Sequence, residues 1–268
     1  MNQYQKALQF AALHARDGAF VIPNPWDVGS ARLFEGLGFE ALATTSSGFA
    51  QTLGRLDGLV SMPETLAHCV EICAATTLPV NADLENGFAD SPEAVAANFP
   101  RFIATGLAGG SIEDYSRDGE IYPHSLAVER VAAAVEAIAA QSIPFVLTAR
   151  AEGLLRKAGD LDSVIARLQD FASAGAEVLY APGLMTLEQV AQVTSAVDKP
   201  VNVLVPPFRH SNVQALSAAG AKRLSLGGAA ARLIVSAVKR AGTEMRDEGT
   251  FAWLDDIASG RDMQQFFS

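Results

Sequence analysis

The sequence predicts a (β/α)8 barrel, or TIM barrel, on three observations. Its 268 residues suit the roughly 250 that eight strand–helix units require. A short apolar run, a polar or glycine-rich turn and then a helical pattern recur eight times along the chain, which implies parallel strands with helical crossovers. No glycine-rich fingerprint follows the first strand, which disfavours the runner-up, a doubly wound open sheet. The composition, 49% hydrophobic, supports one large core. The reading is a single barrel domain over residues 1–268, with an N-terminal helix and a C-terminal helical tail.

The elements follow in order. Residues 2–16 form an amphipathic helix that stops at Asp17-Gly18. The predicted strands are 19–22, 41–44, 80–83, 110–113, 145–149, 178–181, 201–205 and 223–226. Helices are predicted over 28–37, from Pro63, from Ser91-Pro92-Glu93 with its proline in the first turn, and over 125–140, 161–174, 187–197 and 211–219. A last long helix runs to about residue 246. Glycines at Gly106, Gly175 and Gly220 follow helices, where they serve as C-caps. The tail from residue 250 carries Phe251, Trp253, Leu254, Phe266 and Phe267, which need a partner surface.

Charge and composition exclude several function classes. A formal net charge of −10 argues against non-specific nucleic-acid binding, which needs clustered Lys and Arg. No apolar run is long enough to span a bilayer. The start of the chain lacks the basic and apolar regions of a signal peptide. Cys69 and Cys73, four apart on one helical face, read as buried thiols. A cytoplasmic address is the expectation.

In such a barrel the active site lies at the C-terminal ends of the strands. Asp83 and Glu85 close the third strand; being two apart, they point to one side of an extended backbone. Asp57 lies in the loop after the second strand. Glu113 and Asp114 follow the fourth strand, Arg150 and Glu152 the fifth, and Asn202 sits in the seventh. Converging carboxylates repel each other unless a cation lies between them. Mg2+, with Mn2+ as an alternative, suits oxygen ligands of this kind. Asp83, Glu85, Asp57 and Glu113 are therefore the candidate metal set. Asp57, Arg150 and Glu113 are the candidate catalytic groups. Trp26, Ser47, Gly48, Phe49 and Asn202 are the candidate substrate contacts, with the Gly48 and Phe49 N–H groups aimed at an oxyanion. Each has a plainer alternative: Arg150 as the partner of Glu152 or Glu113, Ser46-Ser47-Gly48 as a turn, and Asp27 and Asp114 as caps. The four histidines, His14, His68, His124 and His210, are read as inert.

Five motifs occur in order and spacing: Pro25-Trp26-Asp27, Thr45-Ser46-Ser47-Gly48, Asp83-Leu84-Glu85-Asn86-Gly87, Ile112-Glu113-Asp114 and Thr148-Ala149-Arg150-Ala151-Glu152. Together they resemble the isocitrate lyase / phosphoenolpyruvate mutase superfamily over most of the chain. The resemblance implies Mg2+ held directly at Asp83, with Asp57, Glu85 and Glu113 acting mostly through water. It also implies a last helix exchanged between subunits of a homodimer or homotetramer. The expected activity is Mg2+-dependent lyase cleavage of a C–C bond in a small 2-oxo or 2-hydroxy carboxylic acid, through an enolpyruvate-like intermediate. Decarboxylases and C–C hydrolases are close variants. The alternatives are P–C bond chemistry of the phosphoenolpyruvate mutase or phosphonopyruvate hydrolase type, and a non-catalytic barrel that binds 2-oxo acids. The loop at 115–123 departs from the lyases, which carry a Lys-Arg/Lys-Cys-Gly-His run there with its cysteine as general acid. It holds Arg117, Asp118, Glu120 and Tyr122 as possible substitutes.

Overall fold

The computed structural model describes residues 1–267. Its eight strands lie in one parallel sheet, ordered β1-β8-β7-β6-β5-β4-β3-β2. They are β1 (Phe20–Ile22), β2 (Leu42–Ala43), β3 (Val80–Asp83), β4 (Gly109–Glu113), β5 (Val146–Arg150), β6 (Val178–Tyr180), β7 (Val201–Leu204) and β8 (Arg223–Ser225). The sheet curls into a nearly closed barrel. Its seam between β1 and β2 is crossed by the Ala43 N–H, which donates to the Pro23 carbonyl at 3.0 Å.

The main helices are α1 (Gln3–Ala15), α2 (Val28–Gly36), α3 (Ser46–Thr52), α4 (Met62–Ala75), α5 (Pro92–Ile103), α6 (His124–Ala139), α7 (Leu161–Ser173), α8 (Leu187–Ala196), α9 (Val213–Ala218), α10 (Ala229–Asp247) and α11 (Gly260–Phe267). Their starts follow local chemistry. Asn2, Asp27, Ser91, Asp160 and Thr186 each accept a hydrogen bond from a first-turn N–H, the usual role of a short polar side chain at an N-cap. One detail differs from the sequence reading. Ser46–Thr52 is a helix capped by Thr45, not a turn. The helix of the tail, α11, agrees with that reading; its Phe266 ring lies where a Cβ on Gly36 would sit, so Gly36 admits the close approach of α11 to α2.

Helix α1 closes the N-terminal end of the barrel. Ala7, Phe10 and Leu13 form a buried cluster with Phe20, Ile22, Ala41, Ala43, Ala108, Val146 and Val178. The much larger second cluster fills the space between sheet and outer helices, from Leu42 and Val80 through Phe99, Phe102 and Phe171 to Leu224. On the outside, α10 turns Leu233, Ile234, Val235 and Val238 to solvent. An apolar face of that size on an amphipathic helix marks an interaction surface. No helix among the described residues is long and apolar enough to cross a membrane.

His14 extends α1 into the barrel. Its Nδ1 lies 2.8 Å from the Phe10 carbonyl and its Nε2 lies 3.4 Å from Nη1 of Arg223. Arg223 can only donate, so Nε2 accepts, Nδ1 carries the proton, and the ring is neutral. Burial and the Arg223 charge push its pKa down from 6.5 to about 3. The unfolded chain therefore binds a proton below pH 6.5 that the folded chain refuses, and stability falls as pH drops from 6.5 towards 3. The expected slope is about 1.4 kcal/mol per pH unit from this residue. Urea unfolding of the native chain and of His14→Gln at pH 7 and pH 4.5 checks it: the variant loses less stability on acidification, and equal losses would refute the assignment.

Candidate active site

The strand ends open into a cavity of about 500 Å³. Asp57, Asp83, Glu85, Glu113, Arg150, Ser47 and Asn202 all line it. These predicted residues come from six separate segments of the chain, and the barrel brings them to one mouth. Trp26, Gly48 and Phe49 stand behind the wall instead. The Trp26 ring meets Phe34 edge-on at 6.4 Å, and Phe49 stacks on His68 at 3.9 Å. The Gly48 N–H donates to the Thr45 hydroxyl at 3.3 Å and the Phe49 N–H to the Thr45 carbonyl at 3.0 Å. Helix α3 thus consumes both donors that the sequence reading assigned to an oxyanion. Gly48 has a packing role: a Cβ there would lie 2.5 Å from the Thr45 methyl and 2.9 Å from Trp26 Cβ.

Arg150 is the centre of the charged cluster. It donates to Asp83 at 3.1 Å, to Glu113 at 3.0 Å and to Glu152 at 2.6 Å. Glu152 is fully buried and also takes Arg156 at 3.0 Å. Its own N–H donates to Asp114 at 2.7 Å, and Asp114 accepts from Arg167 at 3.2 Å. Asp114 and Glu152 therefore hold the arginines in place from behind. Arg150 is both a structural partner and a cavity group; the two readings of it are compatible.

Asp83 ends β3. One of its oxygens accepts from the Ser46 N–H at 3.2 Å and the Ser46 hydroxyl at 3.0 Å, while the other faces Arg150. Glu85 reaches the cavity by a different route from the one expected. The strand stops at Asp83, and Glu85 sits at φ +50°, a left-handed backbone uncommon for a side-chain-bearing residue. A turn, not strand alternation, brings it beside Asp83. Burial pushes Glu85 up to about 7 despite Arg117. Burial likewise raises Glu113 against the pull of Arg150. At the rim, desolvation and the nearby Asp83 charge raise Asp57.

The donors fit a small hard cation. Among the described residues no three His, Cys, Asp or Glu side chains form a closed cage around one point. Mg2+ does not need one, since it keeps several waters and takes one or two carboxylates. Asp83 would hold it directly, with Asp57, Glu85 and Glu113 reached through water. A divalent ion would offset the burial that raises Asp57, Glu85 and Glu113.

The loop between β4 and α6 folds over the mouth through a bridge between Tyr115 and Ile121. Arg117 ties it down, donating to the Gly58 and Val60 carbonyls at 2.7 and 2.5 Å and reaching Glu85 at 3.5 Å. Tyr115, Ser116, Arg117 and Gly119 face the cavity, while Asp118, Glu120 and Tyr122 do not. Tyr122 is buried against Asp90 and Asn86 under the Arg130 guanidinium, 3.9 Å from its ring centroid; it is a structural residue. Sequence reasoning placed Ser46 at the mouth without a role, and it assigned none to Tyr115, Tyr180, Arg223 or Ser225. Tyr180 and Ser225 end β6 and β8, so a stricter count of strand ends would have found them. Asp27 caps α2, and Gly227-Gly228 forms a turn whose Gly227 N–H is taken by Asn24. His68 is buried, while His124 pairs with Asp170 and His210 lies beside Arg209, both outside the cavity.

A parallel (β/α)8 barrel with this acid–arginine cluster at its mouth defines the isocitrate lyase / phosphoenolpyruvate mutase class. The chain belongs to the phosphoenolpyruvate phosphomutase family, whose model matches residues 10–246. A provisionally described lyase/mutase of Burkholderia cenocepacia has a crystal structure that superposes with a TM-score of 0.95. It is 47% identical, over 99% of this chain and 96% of that one. An uncharacterised protein of Mycobacterium tuberculosis is 31% identical, over 82% of each chain. The 2-methylisocitrate lyase of Escherichia coli is 27% identical, over 78% of this chain and 72% of its own.

Gly48→Ala tests the packing behind the wall. The added methyl is expected to cost about 1–3 kcal/mol of stability through overpacking. Denaturant unfolding measures it, and a variant as stable as the native chain would show that Thr45 and Trp26 yield freely.

Proposed function

We propose that this protein is a Mg2+-dependent lyase that cleaves a C–C bond in a small 2-oxo or 2-hydroxy carboxylic acid. The observation that supports it most is the convergence of Asp57, Asp83, Glu85 and Glu113 with Arg150 on one cavity. The similarity to 2-methylisocitrate lyase is consistent with it. Bound Mg2+ would supply a Lewis acid that draws electron density from the substrate oxygens. This chain's residues then do the rest. Ser46 fixes the Asp83 carboxylate at the cavity wall. Glu152 and Asp114 hold Arg150 rigid, which places a guanidinium where negative charge grows as the C–C bond breaks. Arg117 latches the 115–123 loop across the mouth and limits water entry. Tyr115 and Arg117 are the polar side chains of that loop best placed to meet the leaving fragment.

P–C bond chemistry is the second reading, supported by the family model that the chain matches. A panel of phosphonopyruvate, oxaloacetate-like and malate-like acids separates the readings. Release of pyruvate or another 2-oxo product without phosphate supports C–C cleavage; phosphate release from phosphonopyruvate supports the alternative. Mg2+-dependent oxalate binding with turnover of no panel member would leave a binding barrel. Asp83→Ala is expected to abolish Mg2+-dependent oxalate binding, measured by calorimetry, while the thermal midpoint moves by only a few degrees. Unchanged oxalate affinity would remove the metal assignment.

We also propose that a second copy covers the apolar face of α10, giving a homodimer or homotetramer. The exposed row Leu233, Ile234, Val235 and Val238 supports it. Light scattering on the native chain should give a multiple of the 28.2 kDa subunit mass, and Val238→Glu should shift the population towards monomer.

A further inference from the structure

Arg130, on α6, is 1% exposed and lies outside the cavity at the strand ends. Its hydrogen bonds go to neutral acceptors. Nη2 donates to the Asn86 carbonyl and, at 2.8 Å, to the Ala89 carbonyl. Its planar face rests on Tyr122, 3.9 Å from the ring centroid. A guanidinium buried without a carboxylate in contact is costly, so what it holds calls for an explanation.

It holds the turn between β3 and α5. Three residues there have positive φ: Glu85 at +50°, Gly87 at +76° and Phe88 at +56°. Two of the three carry side chains, and such a backbone persists only where its surroundings over-determine it. The turn's own bonds are few. The Gly87 N–H donates to the Leu84 carbonyl at 2.8 Å, and the Phe88 N–H donates to Asn86 Oδ1 at 3.1 Å. The other anchors come from outside. Asn98 on α5 donates through Nδ2 to the Gly87 carbonyl at 2.9 Å. The Glu113 N–H donates to the Glu85 carbonyl at 2.9 Å. Arg130 spans the carbonyls on either side of Gly87 and Phe88. The side chain that this turn brings to the cavity is Glu85.

We infer that Arg130 is a positioning residue for Glu85. By holding the Asn86 and Ala89 carbonyls it fixes the left-handed turn, and with it the place of the Glu85 carboxylate beside Asp83. It touches neither the cavity nor anything bound in it. This rests on the proposed function, because the Mg2+ reading is what gives Glu85 a role.

The test is a double-mutant cycle of Arg130→Met and Glu85→Gln. The quantity read, by calorimetry, is the Mg2+ concentration that half-saturates oxalate binding. Methionine keeps an unbranched buried side chain and removes the donors. In the native background Arg130→Met is expected to raise that concentration roughly tenfold, the low end of the loss when an outer partner of a metal site is removed. In the Glu85→Gln background the same change should move it less than about twofold, since a residue that acts through another has nothing left to act on. A loss of similar size in both backgrounds, or none in the native one, overturns the inference and leaves the proposed function standing. No Mg2+-dependent oxalate binding by the native chain overturns both. Hydrogen exchange gives a readout that needs no metal: the amides of residues 84–90 should lose protection in Arg130→Met while those of β4 and β5 keep theirs. An unchanged pattern at 84–90 overturns the inference. If Arg130→Met does not fold, Asn98→Ala frees the Gly87 carbonyl of the same turn and takes its place in the cycle, where an additive or absent effect overturns the inference.

Discussion

The structure of the mouth depends on one interaction, the burial of Arg150 among three carboxylates. A guanidinium taken out of water alone would be unstable there, and so would Asp83, Glu113 and Glu152 without it. Each partner sits at or just beyond the end of a different strand, β3, β4 or β5. The charges can meet only if those strands are in register, and the register places Glu113 directly opposite Arg150. Charge compensation and strand alignment therefore enforce each other. Burial, working against the pull of the arginines, leaves Glu85, Glu113 and Asp57 with raised pKa values, and a divalent ion would offset that cost.

Much of the barrel was legible because its signals are local. Apolar runs, N-caps and glycine stops recur within a few residues, and all eight strands fall where those signals put them to within a residue or two at each end. The acid cluster was legible for a topological reason: in a parallel barrel the last residue of each strand must face the mouth. What the chain order hides is where a donor is already spent. Gly48 and Phe49 look like free amides until Thr45 is seen to begin a helix there. Glu85 looks like a strand residue until its positive φ is known. Arg223 carries no signal at all, since it starts a strand and its partners come from α1, β5 and β7, tens to hundreds of residues away in sequence.

The lining of the cavity also shows a division of labour in the sequence. The early strands carry the acids, and the late strands carry neutral donors and the Arg223 cation. The field across the cavity runs between them.

His14 belongs to a helix that precedes the first strand, yet it touches the guanidinium beneath the cavity floor. Helix α1 thus supports the cavity from beneath. A truncation that spared every strand and every loop of the mouth would still withdraw an imidazole from the underside of the cavity. Shortening this protein from that side would disturb the buried layer beneath the cavity from the far end of the barrel.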